Sequence, residues 1–407
     1  MNPTQGNGNR VLIVGLGIGG AAAAIRLREI GWTPTVVERA AQRRSGGYFI
    51  ALFGAGRAAA RRLGIMDGIR DRASTDGASF EIDRAGNRRR GLGYVDLPGR
   101  PWMMLRGDVE QATCAKLPAD TDIRFSTVPA AIEQDVDGVD VTLTDTVTGA
   151  STTERFDLVI GADGVRSTVR SLVFGPHEKY LHRLDYVVAA FSLDRALSDL
   201  AEGDGATLLE PGRSVWIFPF ADRPSTVLVS YRTDDVDAEL TEPPAERMRA
   251  VFGTGPLGRT LTEVAAALET TGDVLFDSVE QVRMDSWHRG RVVLLGDAAW
   301  CVSLYSGMGA SSALAGAHLL GTMLQRHPAD PARAFAAWDR ALRPAVEYYQ
   351  RIGMDMTSFF TPSNRRQIAI FRILGRLQQT RFAGRPVQLL LRYMKASRMK
   401  EKDIAAP

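Results

Sequence analysis

The 407-residue chain has only two cysteines, Cys114 and Cys301. Two thiols cannot build a disulfide framework, and these two do not sit at zinc-ligand spacing. Free thiols in a reducing cytoplasm, with no metal site, are therefore expected. No apolar run reaches 18 residues, so no transmembrane helix or stable membrane insertion is expected. The polar stretch Met1–Arg10 lacks the apolar region of a secretory signal. Charge of one sign is also scarce: 50 Lys and Arg against 47 Asp and Glu leave +3. Over this length that field gives no case for nucleic-acid binding. The five histidines (His177, His182, His288, His318, His327) form no constellation and read as structural or surface residues. There is no repeat and no low-complexity tract. The remaining composition, 45% hydrophobic and 24% charged, excludes a disordered, collagen-like or coiled-coil chain.

Along the chain, Val11–Val14 is a short β-branched run that reads as a strand buried on both faces. A glycine-rich turn follows, then a helical stretch Ala21–Ile30 closed by Gly31, then a second strand Thr35–Glu38. This is a β-α-β unit. Gly107–Leu117 has helical spacing, with Asp108 near its start as a cap. Ile132–Leu143 and Thr152–Val159 alternate as antiparallel hairpins, and Asp157–Gly161 reads as another buried strand. From Tyr186 to Val274 the texture changes to β-like runs broken by Gly, Pro and Asp, which predicts a second domain built on a sheet. Arg291–Gly296 returns to parallel-strand texture, and a long helical region runs from about Gly309 to the end.

Three motifs carry chemistry. The first is Gly15-x-Gly17-x-x-Gly20, between strand and helix. Gly15 permits the tight turn, Gly17 lets a pyrophosphate approach the backbone, and Gly20 lets helix and strand pack closely. The helix N-terminus, with Ile18 and Gly19, turns free N–H groups and a positive dipole end toward phosphates. Glu38, at the end of the second strand, is placed to accept hydrogen bonds from an adenosine ribose. Its charge would repel a 2′-phosphate, so the dinucleotide is FAD or NAD rather than NADP. The second motif, Gly161-Ala162-Asp163-Gly164, is a strand leading into a tight turn. The third is Gly296-Asp297-Ala298-Ala299, ahead of Ser306-Gly307-Met308-Gly309-Ala310. An Asp just past a buried strand can hold ribityl hydroxyls, and a glycine-rich loop opening a helix can aim N–H groups at a flavin pyrimidine. Either alone is also an ordinary turn. Their order behind the first motif gives them meaning.

Together these motifs, with Glu38-Arg39 and Leu105-Arg106-Gly107-Asp108, resemble the single-component FAD-dependent aromatic hydroxylases, the para-hydroxybenzoate hydroxylase-like family. The resemblance runs over roughly residues 10 to 345. Gly46-Gly47-Tyr48-Phe49-Ile50 and the compact length resemble the tetracycline-inactivating branch of that family. It implies an α/β fold: a Rossmann-like FAD-binding domain, a mixed β-sheet substrate domain and C-terminal helices. The corresponding boundaries are 1–73, 100–180 and 277–345 for the FAD domain, 74–99 and 181–276 for the substrate domain, and 346–407 for the helical region. It also implies a tightly but non-covalently bound FAD. Glu38 would hold the adenosine ribose with Arg39 beside the adenine, and Arg106 would reach the phosphate or ribityl region. Asp163 and Gly164 would lie near the FAD and the transient NAD(P)H path. Asp297 would hold the ribityl-diphosphate region, and Gly307–Ala310 would face the isoalloxazine. The alternative for Arg106 is a surface salt bridge.

No second GxGxxG appears, so the resemblance implies transient NAD(P)H docking on the FAD domain. Hydride would reduce the flavin, molecular oxygen would form a carbon-4a hydroperoxide, and its distal oxygen would pass to an aromatic or polyketide-like small molecule. The hard chemistry belongs to the cofactor, so no side-chain nucleophile is expected. The family often has His or Tyr after Gly-Asp-Ala-Ala and a proline soon after; here Trp300 and Leu304-Tyr305 stand instead. Trp300 and Tyr305 either line a pocket for a planar ligand or pack as core. Tyr48 and Ile50 are further pocket candidates. Alternation on the strand near 213–220 sets Arg213, Val215 and Ile217 on one face, Trp216 and Phe218 on the other, without deciding which meets substrate. Arg213 either pairs an anionic substrate or is a solvated edge residue. The basic segment Arg376–Lys402 reads as a helix packed on the FAD domain or as a membrane-surface contact. A monomer or homodimer is expected. Competing functions are an FAD-dependent reductase or desaturase, a non-catalytic flavin-binding protein, and a flavin halogenase. The last calls for Trp-x-Trp-x-Ile, which Trp216-Ile217-Phe218-Pro219 does not match.

Overall fold

A computed structural model describes residues 9–43, 46–74, 77–91, 101–253, 255–379 and 399–406. The first strand, Arg10–Val14, lies at the heart of a six-stranded sheet. Its order is His288–Arg289, Val292–Leu294, Leu158–Gly161, Arg10–Val14, Thr33–Val37, Asp122–Arg124, parallel except for the His288–Arg289 edge. Val11, Leu12 and Ile13 are fully buried, as expected for central parallel strands covered on both faces. The helix Ile18–Glu29 begins three residues earlier than the sequence reading, directly after Gly17. Its run Ala21–Ala24 is buried; small side chains let it pack closely on the helix Gly309–Arg326.

A second, seven-stranded sheet has the order Val274–Val282, Leu181–Ser192, Thr226–Arg232, Arg213–Phe218, Gly205–Glu210, Ser79–Ile82, Arg88–Arg90. It is mixed: Gly205–Glu210 pairs parallel with Ser79–Ile82, and the other pairs are antiparallel. The stretch from Tyr186 to Val274 is not all sheet. It contains the helices Pro244–Phe252 and Gly258–Thr270, whose Phe252, Leu261 and Val264 bury against Val215 and Ile217. Their amphipathic spacing is masked in sequence by the intervening Gly and Pro residues. The opposite face of the sheet, with Trp216, Phe218 and Leu228, joins the main core. A three-stranded antiparallel meander, Thr127–Gln134, Val139–Asp145 and Ser151–Phe156, leads into Leu158–Gly161.

The C-terminal region is helical, with Pro331–Asp355, Thr357–Phe360 and Arg365–Gln379 following Gly309–Arg326. Most of the basic segment from Arg376 onward falls outside the described residues. Its end returns to view at 399–406, where Ile404 and Ala405 are buried. Among the described residues, no helix is long and apolar enough to cross a membrane.

Candidate functional site

The C-terminal ends of the parallel strands, the second sheet and the C-terminal helices enclose one elongated cleft of ≈ 800 Å³. Glycine-rich turns form its floor at one end, for reasons visible in space. Gly15 has φ +101, and a Cβ on it would lie 2.5 Å from the Ala162 carbonyl oxygen. A Cβ on Gly20 would fall 1.9 Å from the Gly15 carbonyl oxygen. Both positions exclude any side chain, because strand, turn and helix meet there. Gly17 differs: its nearest prospective neighbours are Arg106 Nη2 at 3.8 Å and Glu110 Oε1 at 4.0 Å. Its open side faces the cleft, so a phosphate can approach the backbone beside a guanidinium. Ile18 and Gly19 also line the cleft, whereas Gly20 serves the packing behind it.

Glu38 clasps this turn. One carboxylate oxygen accepts the Leu16 N–H at 2.9 Å and the other the Ala40 N–H at 2.9 Å. Each oxygen keeps a lone pair for a ribose hydroxyl. Arg39 is exposed at the same end, beside Gln42 and Arg43, two cleft residues with no signal in the sequence pattern.

Arg106 is held at the start of the helix Arg106–Lys116 and pairs with Glu110 at 2.8 Å. The salt-bridge alternative is thus true of this arginine, and it also faces the cleft. Burial opposes its charge, and Tyr48, Glu110 and Asp297 together outweigh that. Asp297 opens the short helix Asp297–Trp300 after Gly296, which has φ +66. Its side chain lines the cleft and is accessible from it. There, desolvation raises its pKa, and Arg106 and the Cys301 thiol only partly offset the rise. Burial likewise raises the Tyr48 hydroxyl.

Asp163 lines the cleft, but its carboxylate is committed elsewhere. It accepts Ser167 Oγ at 2.6 Å and the Val169 N–H at 3.1 Å, capping the helix Thr168–Val173. Gly164, with φ +83, completes the turn. Gly307 takes the left-handed conformation with φ +68, and Gly309 and Ala310 start the long helix at the cleft wall. Met308 is fully buried and donates its N–H to Ser306 Oγ at 3.1 Å; it stands behind the wall. Ser303, just before, is a non-glycine residue at φ +67, ψ 154, a costly conformation tucked against Gly353. The loop's shape is therefore imposed by its surroundings.

The other half of the cleft is apolar. Phe49 and Phe218 stack with centroids 4.2 Å apart and planes 7° from parallel. Ile50, Leu228, Tyr305, Met356 and Phe360 continue this wall. The Trp216/Phe218 face is thus the inward one, but only Phe218 reaches the cleft. Trp216 lies behind it, fully buried, donating to the Phe360 carbonyl at 2.8 Å. Arg213 points to the opposite face, where it binds Glu210 at 2.6 Å and sits over Phe252. It does not line the cleft. Trp300 does not line it either: it packs against Trp287 and Trp338 in the core. Tyr305 combines both expectations. It is buried, its hydroxyl bonds Ser230, and its ring stacks on Phe360 along the cleft wall. Phe49, Met356 and Phe360 join the site only through tertiary packing.

Comparison with known proteins agrees with this geometry. Residues 9–333 match the family model described as an FAD binding domain. A flavin-dependent monooxygenase from an unknown prokaryotic organism is 28% identical over 86% of this chain and 89% of its own length. The FAD-dependent monooxygenase asL4 of Sarocladium schorii is 29% identical, covering 78% of this chain and 76% of its own. Among solved structures, tetracycline destructase Tet(51) superposes with a TM-score of 0.75 at 25% identity, covering 95% and 98% of the two chains. Klebsiella pneumoniae HpxO complexed with FAD and uric acid shares the fold, with a TM-score of 0.72 at 20% identity over 94% and 97%. With its turns, acid and open phosphate face all in place, the chain belongs to the FAD-binding-domain family and is an FAD-dependent monooxygenase of the aromatic hydroxylase type.

Proposed function

We propose that this monooxygenase uses NAD(P)H and molecular oxygen to hydroxylate a planar aromatic or polyketide-like small molecule. The observation that carries the reading is the apolar wall, Phe49, Phe218, Leu228, Tyr305, Met356 and Phe360, continuous with the Gly307–Ala310 turn. Flat rings suit a slot walled by stacked aromatics. The kinship of Tet(51), a tetracycline destructase, supports a polycyclic ligand.

Bound FAD supplies the redox and oxygen-activating chemistry. The chain's own residues bind and orient. Glu38 holds the ribose, with Arg39 beside the adenine, while Gly17 and Arg106 accept the diphosphate. Asp297 holds the ribityl region. The Gly309 and Ala310 amides open a helix whose positive end favours negative charge on the pyrimidine ring. The apolar wall excludes water from the reacting face, which protects oxygen transfer from loss as peroxide. The Asp163–Gly164 turn borders the path left for transient NAD(P)H docking.

The test is oxidation of NADH and NADPH by the purified yellow protein against a panel of phenols, quinolones, anthracyclines and tetracyclines, with peroxide recorded. The expected result is a ligand that accelerates oxidation without matching peroxide and gains one oxygen by mass. Acceleration with stoichiometric peroxide for every ligand would count against oxygen transfer. No acceleration with either nucleotide would favour a reductase that takes electrons elsewhere, or a non-catalytic role.

A further inference from the structure

The segment 399–406 returns to the body of the protein and is pinned there at several points. Tyr349 donates its hydroxyl to the Met399 carbonyl at 3.1 Å. Arg57 pairs with Glu401 at 2.8 Å, and Arg62 holds Asp403 at 3.0 Å. Gly54 makes the docking possible: a Cβ there would lie 2.7 Å from the Glu401 carbonyl oxygen. This anchoring sets Lys400 into the cleft wall, its ammonium 4.7 Å from the centre of the Phe53 ring.

Among the described residues, no carboxylate pairs with Lys400. Its acidic neighbours turn to other groups: one Glu401 oxygen pairs with Arg57 while the other is buried with no hydrogen-bond partner, and Asp403 pairs with Arg62. An ammonium withdrawn from water without a counter-ion is costly, and a ring face compensates only in part. The missing partner is an anion arriving in the cleft. We propose that Lys400 is the cationic subsite for the organic substrate, which therefore carries an ionised oxygen: a carboxylate, enolate or phenolate. This rests on the reading above that the apolar part of the cleft takes that substrate.

Burial alone lowers the Lys400 ammonium, to about 8. The charged and titratable groups on the packed elements are Arg57 and Arg62 of Gly54–Arg62 and Tyr349 of Pro331–Asp355, with Glu401 and Asp403 on its own segment. The cation is thus lost as pH rises through about 8, and anion preference falls with it.

The test uses the FAD-loaded protein and two probes, 2-naphthoate and its neutral carboxamide, with binding read from flavin absorbance and tryptophan fluorescence. The wild type is expected to favour the carboxylate about tenfold or more at pH 7, as for a charge-assisted contact. That preference should shrink above pH 8. Lys400→Met should abolish it and Lys400→Arg should keep it, with FAD content kept in both and thermal melting no lower in the Met variant. Lys400→Gln replaces the Met variant should that one fold poorly. A preference that survives in the neutral variants overturns the proposal. So does a wild type indifferent to the two probes or unable to bind either. Loss of FAD or a shifted flavin potential in Lys400→Met, with the preference intact, would assign the cation to the cofactor instead. Turnover is not read, so a chain that prefers anions yet never oxygenates contradicts the proposed function and leaves this subsite standing.

Discussion

At the scale of single residues, the cofactor end of the cleft depends on a few side chains with separable tasks. Glu38 ties Leu16 and Ala40 to the strand end while lining the cleft, where we propose it holds the ribose. Glu38→Ala should weaken FAD about tenfold or more, measured by titrating apoprotein with FAD; an unchanged dissociation constant would remove the ribose role. Asp297→Ala should purify largely colourless, and a fully yellow variant would contradict the ribityl assignment. Trp216 and Arg213 offer the opposite contrast. Trp216→Ala removes a fully buried indole and its hydrogen bond, so a loss of ~3–5 kcal/mol in denaturant unfolding is expected. Arg213→Ala should leave ligand affinity unchanged, since its guanidinium serves Glu210 and Phe252 on the far face. The glycines, Glu38 and the Asp297 turn were legible in sequence because backbone geometry and ligand chemistry restrict them to one or two residue types. Trp300 was not: an aromatic beside a motif carries no signal that separates a pocket wall from the Trp287–Trp338 cluster.

At the scale of elements, the β-α-β unit was readable because a buried parallel strand leaves a continuous apolar run, and glycine marks both ends of the helix. The helices Pro244–Phe252 and Gly258–Thr270 were not, lying short and close together inside a β-textured stretch. The two glycines of the first turn make a paired test. Gly20→Ala forces a Cβ to 1.9 Å from a carbonyl and should yield misfolded or poorly soluble protein. Gly17→Ala meets only open cleft and should fold while binding FAD weakly, as circular dichroism and flavin content would report. On the Gly309–Arg326 helix, burial, with Arg26 and Arg62 nearby, pushes His318 down to about 4. The unfolded chain then binds more protons at this site between pH 4 and its ordinary value near 6.5. Stability should fall as pH drops through that window. His318→Phe should flatten this acid limb in thermal melts, and an unaltered limb would assign it to other groups.

At the scale of the whole molecule, the sequence motifs cover the cofactor half of the cleft, and tertiary packing assembles the other half. Phe49, Phe218, the pair Met356 and Phe360, and Lys400 come from four separate segments, two of them C-terminal to the family match at residues 9–333. Each side chain alone is ordinary; only their convergence makes an aromatic slot. That is why fold and cofactor could be read from one sequence and the apolar wall only in part: Tyr48, Ile50, Phe218 and Tyr305 stand out as candidates and line the cleft, whereas Phe49, Met356, Phe360 and Lys400 do not stand out. The central claim is that this slot places an organic molecule for oxygen transfer. It is tested most directly by turnover under ¹⁸O₂ with the best ligand from the nucleotide-oxidation panel, followed by mass spectrometry. The account predicts one labelled oxygen atom in the product. An unlabelled product, or label recovered only in peroxide and water, would contradict it.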